Sequence, residues 1–115
     1  MANIYTNSKV DLTSTGETTV YTSPAASTTT NAATSIIKSI LVSEDSGNAD
    51  SITLTITDTS SNVFSLFKTK AISANATLEL LTHPLILTEG EVLKATAATG
   101  NRLHIIISVL QINRE

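Results

Sequence analysis

The acidic segment Glu44-Asp45-Ser46-Gly47-Asn48-Ala49-Asp50 sets side-chain oxygens at alternating positions, loosely as a calcium-binding loop does. An EF-hand loop closes around its ion with a bidentate Glu at a fixed later position, and this segment has none at that spacing. Its density of turn-formers reads instead as a hairpin connection. The two histidines, His83 and His104, stand apart in sequence, and the chain has no cysteine. A zinc site would therefore need carboxylates gathered around them by the fold. Serines are plentiful, but none lies in a G-x-S-x-G elbow, so a Ser-His-Asp arrangement could arise only from tertiary geometry. Gly16, Gly47, Gly90 and Gly100 are dispersed and each suits a turn, which leaves no phosphate-cradling loop. Asn75-Ala76-Thr77 has the N-glycosylation pattern, yet the N-terminal MANIYTNSKVDL lacks the apolar run of a secretory signal. The expectation is of no catalytic residue, no cofactor and no metal.

The elements that would position any site are strands. Ile52, Leu54 and Ile56 alternate with Thr53, Thr55 and Thr57, a period of two that makes one face apolar and the other a row of hydroxyls. Residues 36–42 before it are apolar in both phases, as in a strand covered on both sides. Together they predict a β-hairpin. Thr18-Thr19-Val20-Tyr21-Thr22 predicts a short strand ended by Ser23-Pro24, and residues 25–34 read as a loop. Further strands are expected at 63–68, 77–81, 85–87 and 92–97, with Phe64 and Leu66 on one side of theirs and Phe67 on the other. Ser73 could instead cap a helix, but Pro84 follows too soon, and a strand is preferred. The last strand, 103–112, is apolar on both sides: Leu103, Ile105, Ile107 and Val109 form one face and Ile106, Leu110 and Ile112 the other. About eight short strands with regular turns predict one all-β domain, an antiparallel β-sandwich or jelly-roll-like barrel. Residues 1–15, anchored only by Ile4, Tyr5, Val10 and Leu12, are expected as an arm or edge strand, with the sandwich spanning 16–115.

Composition narrows the partners. A chain of 115 residues with 20 Thr, 14 Ser, no Cys and a net charge of -3 has no basic patch for phosphates, so neither nucleic acid nor an anionic membrane is an expected partner. With 15% charged and 41% hydrophobic residues, part of the surface is expected to be covered by other subunits. Ile4, Tyr5, Ile106, Leu110 and Ile112 are the candidate interface residues.

The order of segments resembles small virion proteins of tailed bacteriophages, especially those of marine cyanobacterial phages. The likeness rests on Val20-Tyr21-Thr22-Ser23-Pro24, on Ile37-Lys38-Ser39-Ile40-Leu41-Val42-Ser43 before a Ser-Gly-Asn-Ala-Asp turn, and on Ile52-Thr53-Leu54-Thr55-Ile56. It continues through residues 72–80, then Pro84 to Lys94 and the closing apolar strand. The resemblance implies a non-enzymatic structural subunit of the virion, assembled in the host cytoplasm. The expected role is decoration or cementing of the head, as a trimer or dimer that contacts itself and the major capsid protein. A tail, tail-fibre or baseplate component is the alternative it leaves open. The loop at 25–34 is longer than the family pattern and suits a contact or display element. A sugar-binding sandwich would need exposed aromatic platforms, and there is no Trp and only two Tyr.

Overall fold

The computed structural model describes residues 2–26 and 32–113, and among these the regular structure is entirely β. The strands are β1 (Ala2–Leu12), β2 (Thr18–Thr22), β3 (Ala33–Glu44), β4 (Asp50–Thr57), β5 (Val63–Ile72), β6 (Thr77–Glu79), β7 (Leu85–Leu87), β8 (Val92–Ala97) and β9 (Leu103–Asn113). Every pairing is antiparallel. One sheet, here sheet A, runs β1-β9-β3-β6 with β7 also on β3, and the other, sheet B, runs β2-β8-β4-β5. β6 and β7 lie end to end along the same edge of β3, opposite 41–43 and 35–37, so they act as one strand interrupted at 80–84 around Pro84. Merged, they leave the two four-stranded sheets and Greek-key crossings of a jelly roll, the expected fold class.

Alternation in the sequence becomes burial in the sandwich. Leu103, Ile105, Ile107 and Val109 of β9 join Ile37, Ile40 and Val42 of β3 on the inner face of sheet A. They pack against Ile52 and Leu54 of β4 and Leu93, Ala95 and Ala97 of β8. A partly buried chain of hydroxyls ties the sheets at one end: the Gln111 side-chain amide donates to the Tyr21 hydroxyl (2.6 Å), which bonds Ser35 Oγ (2.8 Å), which bonds Ser23 Oγ (2.8 Å). At the other end Asn101 N donates to Leu12 O, and the turn approaches so closely that a Cβ on Gly100 would lie 2.6 Å from Thr13 O.

Ser73 starts a turn closed by Ala76 N donating to Ser73 O, and the preferred strand follows it from Thr77. Other local expectations change. In β5 the register slips relative to β4 at Leu66, so Leu66 and Phe67 both pack on the core instead of facing opposite ways. A second slip accompanies the left-handed Thr69 (φ 55), whose amide is held by Thr53 Oγ1. The loop expected at 25–34 is pinched at its base by Ala33 N donating to Pro24 O, and its residues 27–31 lie outside the described residues.

The threonine row of β4 does face outward, but the Oγ1 atoms of Thr55 and Thr57 are buried with no hydrogen-bond partner among the described residues. A buried hydroxyl without a partner destabilises, and valine keeps the branched shape. Thr55→Val is therefore expected to stabilise the fold by about 1 kcal/mol. Urea unfolding should show a higher midpoint at unchanged slope; a lower midpoint would mean that the hydroxyl is satisfied.

Candidate interaction surface

Residues directly opposite one another in an antiparallel pair share a face, so the ladder of sheet A dictates what its outer surface presents. The outer positions form rows across the strands. Tyr5 of β1 stands opposite Leu110 of β9, which stands opposite Ile36 of β3, which stands opposite Ile86 of β7. This row is apolar from edge to edge, with Tyr5 78% and Ile86 57% exposed at its ends. Two residue pairs along the strands, Lys9, Ile106, Leu41 and Glu79 form another row, its middle members 39% and 36% exposed. Between them lie Asn7, Ser108 and Ser39, and beyond them Asn3, Ile112 and Thr34 at one end and Asp11, His104, Ser43 and Thr77 at the other. Two shallow hollows of about 430 and 330 Å³ open on this face, the first beside Tyr5 and Lys38, the second beside Lys9 and His104.

The charged end of the face brings Asp11, His104 and Ser43 side by side, the residue types of a hydrolase triad. The geometry is different. His104 Nε2 lies 3.3 Å from Asp11 Oδ1 and Nδ1 lies 3.6 Å from Asp45 Oδ2, so both ring nitrogens are turned to carboxylates and neither is directed at Ser43. Among the described residues no group of three His, Cys, Asp or Glu side chains is arranged to hold a metal ion.

The turn that loosely resembled a calcium loop is organised by an anion. Glu44, only 2% exposed, continues the inward phase of Ile40 and Val42. Its Oε1 accepts from Gly47 N (3.0 Å), Asn48 N (3.1 Å) and Asn75 N (3.1 Å), and its Oε2 from Ser46 N (2.9 Å) and the Ser46 hydroxyl. Burial pushes this carboxyl upward, but the Ser46 hydroxyl and the amides of Asn75, Ser46 and Gly47 outweigh it and lower the pKa to about 2. The backbone amides of the turn are thus already occupied by a carboxylate and point the wrong way for a cation. Asp58 does the same on a smaller scale: the Asn62 amide, against desolvation and with help from the Asn62 side chain and Ser60 N, holds its carboxyl below the ordinary value.

No protein-family model matches the chain, and no curated protein does.

Of the five residues singled out from the sequence, the fold brings Tyr5, Ile106, Leu110 and Ile112 onto one face. Ile4 belongs to the opposite phase of β1, in register with Gln111, and is 43% exposed. Ile36, Leu41 and Ile86 complete the face and were hidden within runs that read as core. Val63 and Phe64, exposed at the start of β5, form a separate apolar tip on sheet B.

Proposed function

We propose that the chain is a non-enzymatic structural subunit of a tailed-phage virion, a decoration protein that adheres to the head as an oligomer and works through contact area. The observation that carries this reading is the outer face of sheet A, where one row, Tyr5, Leu110, Ile36 and Ile86, is apolar from edge to edge and a second has Ile106 and Leu41 at its middle, on a sheet that a free sandwich would leave to water. It joins the segment order that resembles phage virion proteins, and a charge too low for a nucleic acid or anionic membrane partner. A jelly roll hosts many functions, so the fold adds only compatibility.

Immunogold labelling of virions with an antibody against the chain tests the reading. Label over the heads, with saturable binding of purified protein to particles that lack it, is the expected result. Label confined to the tail would replace decoration by a tail or baseplate role, and particles without label would overturn the virion assignment.

A further inference from the structure

We propose that two copies pair face to face through the outer surface of sheet A, about a twofold axis parallel to the strands, so that Lys9 of each copy meets Glu79 of the partner subunit. This rests on the outer face being a subunit contact, and it adds the partner, the symmetry and the contacts that select it.

The inference follows from the order of residues within the rows. A rotation about an axis along the strands lays each row upon itself with its ends exchanged. The row Lys9, Ile106, Leu41, Glu79 is built for that operation, with opposite charges at its ends and apolar residues between. Three strand spacings separate the ends by about 14 Å. Rotation sets Lys9 over Glu79 of the partner subunit, twice by symmetry, and Ile106 over Leu41 of the partner subunit. The same operation sets Tyr5 over Ile86 of the partner subunit, joining the two most exposed apolar side chains of the face. No row has the same charge at both ends. The anionic end is fixed in advance: Glu79 accepts from Ile40 N (2.7 Å), Leu81 N (3.2 Å) and the Ser39 hydroxyl. A twofold axis across the strands, centred on Ser108, would instead lay Glu79 on Ile86 of the partner subunit, removing a carboxylate from water without a counter-charge. The described face spans roughly 27 Å along the strands, the small end of specific interfaces, so the dimer is expected to dissociate on the order of micromolar concentration.

The test is charge exchange, read by sedimentation. Lys9→Glu alone and Glu79→Lys alone each set like charges together at both symmetric positions and should weaken the dimer at least about tenfold. Mixing the two variants restores opposite charges at both positions, so two monomeric samples should form a heterodimer when combined. Because Glu79 also holds the backbone, circular dichroism must show Glu79→Lys folded; if it is not, Glu79→Gln mixed with the wild type replaces it and should show intermediate weakening. A wild type that is monomeric at high concentration, a trimer, or a mixture that stays monomeric would overturn the pairing. Heads that still bind such a monomer would leave the decoration reading standing.

Discussion

Glu44→Gln is expected to abolish the steep part of the acid-stability profile and to cost more at neutral pH than Asp58→Asn, its more exposed counterpart. The reason is the number of donors that converge on one carboxylate. Four backbone amides, from two turns distant in sequence, and one hydroxyl end on Glu44. Glutamine can keep its oxygen toward Gly47, Asn48 and Asn75, but its NH2 then faces the Ser46 amide, and a buried donor meets a donor. The sign of the pH dependence follows from the lowered pKa. A carboxyl ordinarily near 4.5 that titrates at about 2 in the folded protein stabilises fully above 4.5, and that contribution is lost as pH falls through 2. The wild type should therefore lose stability between pH 4.5 and 2, with Asp58 adding a smaller loss in the same direction. The difference in thermal midpoint between wild type and Glu44→Gln should be largest above pH 4.5 and shrink toward zero near pH 2. A difference that stays constant across that range would mean that the carboxylate's charge plays no part.

That acid also marks the limit of what local pattern conveys. The strands could be read because a half-buried strand must repeat every two residues, and Ile52-Thr53-Leu54-Thr55-Ile56 does so without ambiguity. By the same phase, Glu44 follows Ile40 and Val42 inward, a signal that was present; but acids at strand ends are usually solvated, and the amides that satisfy this one come partly from residue 75. The slip at Leu66 depends on how β5 lies against β4, and no periodicity within β5 announces it. The interaction face divides in the same way. The outward phase of Ile106, Leu110 and Ile112 is a property of one strand and was legible. The rows are not: Tyr5, Leu110, Ile36 and Ile86 come from four strands, and only the register makes them neighbours.

Because the rows exist only through that register, one substitution on the central strand should separate assembly from folding. Ile106→Glu is expected to weaken self-association by about a hundredfold or more, since it sets a carboxylate at the middle of the buried patch, opposite Leu41 of the partner subunit. The subunit itself should survive. Ile106 is already 39% exposed and faces away from the core, so the unfolding free energy should change by no more than about 1 kcal/mol. Under the proposed decoration role, binding to heads should fall with it, because a monomer gives up the avidity of two linked sites. Ile4→Glu is the matched control: the same change of chemistry at similar exposure, 43%, on the other face of β1, with self-association unchanged. Analytical ultracentrifugation of the two variants beside the wild type separates the faces. If Ile4→Glu dissociates the protein while Ile106→Glu does not, the contact lies on the inner-phase side of β1, and the outer rows of sheet A face water.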